Sequence, residues 1–218
     1  QRTNKALQNV HFRRAISFAA DRGAYNAQKV GEDLKYTSLR NTFTPGYFVS
    51  LSKDTTIQIN GTDTTFPAGT YYGEIVQKQI DADGVKIKVW DAENKTSDGF
   101  DGWYNPENAV EELNTAIEEL AEEGITIDES NPIQMEYPYP SAVEVYTNKA
   151  NSYKKSVEAA LGGKVVINLV DAVDVDGWYY AGYYVNYGYE QNYDVYDVSG
   201  WSPDFGDPCS YLDTMLPD

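Results

Sequence analysis

Cysteine, histidine and methionine are almost missing from this chain: one, one and two of them in 218 residues. The lone Cys209 excludes an internal disulfide, so cysteine pairing does not reveal the compartment. The lone His11 has no cysteine near it and no serine-nucleophile motif, so we assign it a helix-packing or surface role rather than catalysis. Positive charge is also scarce. Against 34 Asp and Glu stand only 17 Lys and Arg, a net charge of -17. Such a chain repels phosphate backbones and anionic membrane surfaces, which excludes a nucleic-acid role and favours cationic or zwitterionic ligands. No apolar run approaches the roughly 20 residues that span a bilayer. G-x-S-x-G, H-E-x-x-H, C-x-x-C and P-loop patterns are all absent. Glutamates abound, but none is singled out as a glycosidase pair. The start carries neither a signal peptide nor a lipid-attachment cysteine. Gln1 stands in place of an initiator Met and the chain stops at Asp218 just after a motif, so we read it as a piece excised from a longer protein.

What is present is aromatic and periodic. Nineteen tyrosines bury ring area while keeping a polar tip, and hydrophobic content of 41% suffices for a sizeable core. Residues 7–21 read as a helix with Val10, Ala15, Ile16, Phe18 and Ala19 as apolar positions, Asn9 as its cap, and Asp21 and Arg22 at its close. Residues 23–35 predict a weaker helix with Tyr25, Val30 and Leu34 inward. From Asn41 to Tyr104 the composition turns to Thr, Gly, Asp and Pro. Strands at 56–59, 69–80 and 85–90, with Asn60-Gly61 and Asp83-Gly84 as turns, predict a surface β-meander over 55–90. Asn105-Pro106 opens the clearest helix, striped by Val110, Leu113, Ile117, Leu120 and Ala121 and ended by Gly124. A strand at 132–137, a helix at 146–161, a strand at 165–170, a helix at 176–187 and a strand at 193–198 complete the second half. Helix and strand alternating in this way predict a parallel or mixed sheet with helices on its faces, where ligands bind beyond the carboxyl ends of strands.

Residues 199–213, S-G-W-S-P-D-F-G-D-P-C-S-Y-L-D, follow the last of these strands. Pro203 and Pro208 stiffen the stretch, Gly200 and Gly206 permit bends, and Trp201 and Asp204 stand three apart. A carboxylate beside an indole suits an ammonium group. The residues alone leave a plainer use open, with Trp201 in the core and Asp204 as a helix cap. Tyr179, Tyr180, Tyr183, Tyr184, Tyr187 and Tyr189 make either a wall for a peptide or sugar or a helix face packed on the sheet. Asp81-Asp83-Gly84 and Asp174-Asp176-Gly177 mimic the start of a calcium loop but lack its closing glutamate, so we read them as turns and expect no metal or cofactor.

Two segments together resemble a known family. N-V-H-F-R-R-A-I-S-F-A-A-D-R, residues 9–22, is similar to the segment opening the second lobe of the extracytoplasmic peptide-binding proteins of ABC importers. G-W-S-P-D-F-G-D-P-C-S-Y-L-D, residues 200–213, resembles a loop later in that lobe, and the helices and strands between fall in the expected order. Residues 41–104 look like an insertion of the kind carried by streptococcal oligopeptide-binding lipoproteins. The resemblance implies an α/β lobe of type II periplasmic-binding-protein-like fold, its mixed sheet flanked by helices. Residues 1–218 would form this one lobe, with 41–104 a β-rich insertion in it. It implies capture of oligopeptides without catalysis, against the peptide-closing second lobe, for permease and ATPase subunits. It places the protein on the extracellular face of a Gram-positive membrane, lipid-anchored through a part not in this sequence. Asp204 would pair with the peptide α-amino group, the backbone of Gly200, Trp201 and Ser202 would align the peptide, and Trp201 would line a side-chain pocket. Two other classes stay open: a secreted carbohydrate-binding or glycoside-hydrolysing domain, and an adhesion or peptide-sensing protein built on the same lobe.

Overall fold

Asn9 divides the N-terminal helical stretch in two. The structure, a computed structural model describing residues 2–197 and Ser210, has α1 at Arg2–Gln8 and α2 at Val10–Ala19. The Asn9 side chain accepts from the Phe12 amide at 2.9 Å, capping α2 as its residue type predicts. Asp21 does not close that helix; it opens the next. Its carboxylate accepts from the Ala24 amide at 2.8 Å and caps α3, Arg22–Val30. A single 3₁₀ turn at Glu32–Leu34 follows, and Leu34, expected inward, is half exposed.

The described residues group into two compact units. The first comprises 2–35 and 104–197. Its longest elements are α5, Pro106–Glu122, and α6, Glu144–Ala160. Asn105 accepts from the Asn108 amide at 3.0 Å and Pro106 fills the first helical position, so the local signals and the observed start agree. Between and after these helices run β3, Ile133–Tyr139, and β4, Val165–Asp171, paired in parallel with Ile133 opposite Val165 and Tyr137 opposite Leu169. The α6 crossover makes this a βαβ unit, as the helix-strand alternation predicts. Helix α7, Val175–Gly182, follows β4 and is shorter than the predicted 176–187. Phe12 and Phe18 of α2, Leu113 and Leu120 of α5, Ile133 and Met135 of β3, and Val157 of α6 are all buried in the core. His11 joins α2 to α5, its Nδ1 2.6 Å from Glu112 and its Nε2 3.7 Å from Glu119.

Residues 193–198 do not extend the sheet as a strand; 193–197 run irregularly along the free edge of β3, and 198 lies outside the described residues. The reason is local. The amides of Asp194 and Val195 both donate to the Glu136 carbonyl at 3.0 Å, and the Asp194 carboxylate accepts from the Glu136 amide at 2.8 Å. A side chain thus takes the place of a ladder carbonyl, and the pairing goes no further. Pro138 is tolerated in β3 because alternate residues turn their amides to this edge, where a missing donor breaks no β3–β4 bond.

The second unit, Tyr36–Trp103, differs from the predicted meander. Its hairpin is as expected: β1, Thr55–Ile59, pairs antiparallel with β2, Thr62–Phe66, around Asn60 and Gly61 at φ 46° and 75°, the left-handed pair that a two-residue turn demands. Residues 69–80 are not a strand. They lead into α4, Tyr72–Ala82, where Glu74 accepts from the Tyr71 amide at 2.9 Å. Tyr72, Ile75, Val76 and Ile80 recur at helical spacing despite their β-prone side chains. Residues 85–90 form no strand either, because a side chain intercepts their backbone. Gln77 Oε1 accepts from the amides of Val89 and Trp90 at 2.7 and 3.2 Å, and its Nε2 donates to the Ile87 carbonyl at 3.1 Å. Trp90 is buried against Gly73 of α4, where an added Cβ would lie 2.2 Å from the indole. Buried Asn41 binds the loop 97–102, donating to the Ser97 and Phe100 carbonyls at 2.8 and 2.9 Å and accepting from the Gly102 amide at 2.9 Å.

Candidate functional site

At the carboxyl end of β3, three elements of the first unit converge on one carboxylate. Tyr25 of α3 donates its hydroxyl to Asp197. Lys149 of α6 reaches the same Asp197 oxygen at 3.2 Å. Tyr137 of β3 places its hydroxyl 3.3 Å from that of Tyr25. The Lys149 ammonium lies over the Tyr25 ring at 4.5 Å and the Tyr146 ring at 5.1 Å. Side-chain exposure is 15% for Lys149 and 22% for Asp197, so water screens the pair only partly. Burial, with Tyr137 and Asp197 beside it, pushes the Tyr25 phenol far up; burial and Asp197 do the same to Tyr137. Both remain neutral across the physiological range and offer hydroxyls rather than charge.

Beside this network lies an aromatic shelf. Trp178 of α7 is buried, with Tyr146 4.7 Å away and Tyr196 6.1 Å away between ring centroids. Tyr196 donates to the Trp178 carbonyl at 2.7 Å, and burial pushes its phenol up to about 12. The indole N–H of Trp178 has no partner among the described residues. Outward from Trp178, Tyr180, Tyr183, Tyr184, Tyr187 and Tyr189 are all more than half exposed. Tyr187 and Tyr189 stack at 5.3 Å, and Tyr183 and Tyr184 meet edge to face at 5.5 Å. The tyrosine cluster therefore presents a surface; of its six members only Tyr179 is drawn against Trp178.

A cleft of about 690 Å³ lies between α3 and α6, lined by none of the shelf residues. Its acids are already engaged: Asp21 caps α3, and Glu32 pairs with Lys35 at 3.0 Å. The acid pairs read as turns sit at helix ends. Asp83 ends α4, and Asp174 caps α7 by accepting from the Gly177 amide at 2.8 Å. Gly200, Trp201, Ser202 and Asp204, the residues expected to bind ligand, lie outside the described residues, as does Cys209. The Asp197 network, by contrast, escapes a reading of the sequence. Asp197 stands 172 positions from Tyr25 and 48 from Lys149, and no motif links them.

No family model matches the chain. It is 32% identical over 215 residues to the oligopeptide-binding protein SarA of Streptococcus gordonii, covering 99% of this chain and 29% of that protein. It is likewise 32% identical over 213 residues to the oligopeptide-binding protein AmiA of Streptococcus pneumoniae, covering 98% of this chain and 29% of AmiA. With the pneumococcal oligopeptide-binding protein AliB it shares 33% over 211 residues, 97% of this chain and 28% of AliB. The substrate-binding domain of an oligopeptide ABC transporter from Bacillus anthracis str. Ames superposes with a TM-score of 0.54 at 16% identity, over 97% of this chain and 30% of that one. That likeness is one of fold alone, and it agrees with an α/β architecture. The chain spans less than a third of the length of the curated relatives it matches. Along nearly all of its own length, then, the chain is similar in sequence to the streptococcal oligopeptide-binding proteins.

Proposed function

We propose that this chain is one lobe of an extracytoplasmic binding protein that captures oligopeptides for an ABC importer. The observation that carries the reading is the end-to-end likeness to proteins named for oligopeptide binding. In this reading 1–218 form one lobe with 41–104 as an insertion in it, and a second lobe supplies the opposite wall. Peptide is held reversibly and no bond is made or broken. Permease and ATPase subunits receive the closed form, and a lipid anchor outside this sequence holds the protein at the outer face of the membrane. Asp204 takes the peptide ammonium, the backbone at Gly200 and Ser202 aligns the extended peptide, and Trp201 contacts a side chain. The scarcity of positive charge, net -17, supports a ligand with an exposed ammonium.

The test is peptide titration of the intact protein. Asp204→Asn should weaken binding of a free-amine peptide at least tenfold, about 1.4 kcal/mol, because it removes one partner of a charge pair. An N-acetylated peptide should bind the two forms alike. Equal affinity of the free-amine peptide for both forms, or tight binding of oligosaccharides instead, would sink the proposal.

A further inference from the structure

Most features left over by the peptide reading are closed on themselves. The His11 cluster is spent in joining α2 to α5. Lys154 bridges Glu158 at 2.5 Å and the Ile167 carbonyl at 2.6 Å, which fastens α6 to β4. The tyrosines that follow Trp178 are different, because they turn outward. Tyr180, Tyr183, Tyr184, Tyr187 and Tyr189 are between 53% and 83% exposed. Their rings touch in two groups: Tyr184 meets Tyr180 and Tyr183 edge to face at 5.4 and 5.5 Å, and Tyr187 stacks on Tyr189 at 5.3 Å. A tyrosine offers about 200 Å² when fully exposed, so the five present roughly 600 Å², against the ~800 Å² that each partner gives to a standard interface. An exposed aromatic patch of that extent marks an interaction site.

The charge around the patch selects the partner. Residues 165–218 contain no Lys, Arg or His. Asp171, Asp174, Glu190 and Asp194 accept from backbone amides at 2.7–3.0 Å, bonds that leave their negative charge in place. Asp176 is exposed in the first turn of α7. Nearby cations are spent elsewhere. Lys149 reaches Asp197 at 3.2 Å. On α1, which shares a cleft with Tyr189, Arg2 donates to the Thr126 and Asn131 carbonyls at 2.6 and 3.0 Å, and Lys5 pairs with Glu123 at 3.5 Å. Exposed phenol faces with acids among them attract guanidinium and ammonium groups. Residues 179–189, Y-Y-A-G-Y-Y-V-N-Y-G-Y, also combine rigid tyrosine contact area with the adaptable hydrogen bonding of Gly and Asn. We propose that this tyrosine face is a docking surface for a partner protein that presents arginine and lysine side chains, separate from the peptide site. The proposal stands apart from the peptide reading, since the residues that form the face lie between 171 and 194.

The experiment is titration of the intact protein with a fluorescent nonapeptide of arginine, blocked at both ends so that it carries no α-amine, and read by anisotropy. The wild type should bind this probe at least tenfold more tightly than a blocked glycine-serine nonapeptide. Tyr180→Ser, Tyr183→Ser and Tyr184→Ser combined should weaken the arginine probe at least fivefold. Phe at the same three positions keeps the ring faces and should bind within about twofold of the wild type. Tyr187→Ser with Tyr189→Ser should weaken binding two- to fivefold and stands in if the triple serine variant fails to fold. Serine variants that bind the arginine probe as the wild type does overturn the proposal, because acidic charge alone then holds the probe or the rest of the protein covers the rings. An equal loss in Asp204→Asn places the probe in the peptide site and overturns it as well. Maltoheptaose bound as tightly as the arginine probe, and lost in the same serine variants, makes the face a saccharide platform and overturns the protein partner.

Discussion

Tyr25, Tyr137, Tyr153 and Tyr196 share one property: burial raises each phenol above its ordinary range, Tyr196 to about 12 and the others further. In the unfolded chain all four ionise near pH 10. Between about pH 10 and the folded values, the unfolded state has released protons that the folded state retains. The stability these groups contribute is therefore whole below pH 10 and falls as pH rises above it, by at most about 1.4 kcal/mol per pH unit for each fully buried group. We expect the urea midpoint to drop steeply between pH 9.5 and 11 and the slope to become shallower in Tyr137→Phe. A midpoint flat across that range, or a slope indifferent to the substitution, would show that these phenols ionise in place. None of this was legible in residue types: nineteen tyrosines look alike in the sequence, and only packing separates Tyr137, buried, from Tyr189, which is 83% exposed.

At the scale of elements, local chemistry was a good guide where Asn9 and Asn105 cap α2 and α5, and a poorer one where Asp21 caps α3 instead of closing α2. Asn9 caps α2 and also donates from Nδ2 to Glu119 of α5 at 2.7 Å. Asn9→Ala should cost about 1–2 kcal/mol in equilibrium denaturation, since a cap is worth about 1 kcal/mol and an exposed side-chain bond somewhat less. Asn9→Ser should recover about half of that by restoring the cap alone; a loss below ~0.3 kcal/mol in Asn9→Ala would contradict this account. The β-prone stretches were a poorer guide. Residues 69–80 carry Tyr, Ile and Val, yet their spacing belongs to α4, and 85–90 have strand composition but give the Val89 and Trp90 amides to Gln77. Composition was read where periodicity decided.

For the molecule as a whole, 34 acidic groups against 17 basic ones mean that like charges are crowded together on folding. Salt shortens the reach of that repulsion, from ~30 Å at 0.01 M to about 10 Å at 0.1 M. Raising sodium chloride from 0.01 to 0.3 M should increase the unfolding temperature by several degrees, with partial loss only at the few close pairs such as Lys149–Asp197. A fall in unfolding temperature would mean that ion pairs outweigh the net charge. The α/β class was legible at this scale, because a parallel pair needs a crossover and the helix at 144–160 between two apolar strands supplies it.

Caps, the Asn60-Gly61 turn, the β3–α6–β4 order and the two family-like segments were determined by the sequence alone, because each depends on neighbours a few positions away. The tertiary structure decided where side chains stand in for backbone. Gln77 replaces a strand beside 85–90, Asp194 replaces a ladder bond at Glu136, and Lys149 with Tyr25 closes on Asp197. Each of these pairs a polar group with a partner from another element, in the last case 172 residues away, and only the folded chain brings such partners within hydrogen-bonding distance.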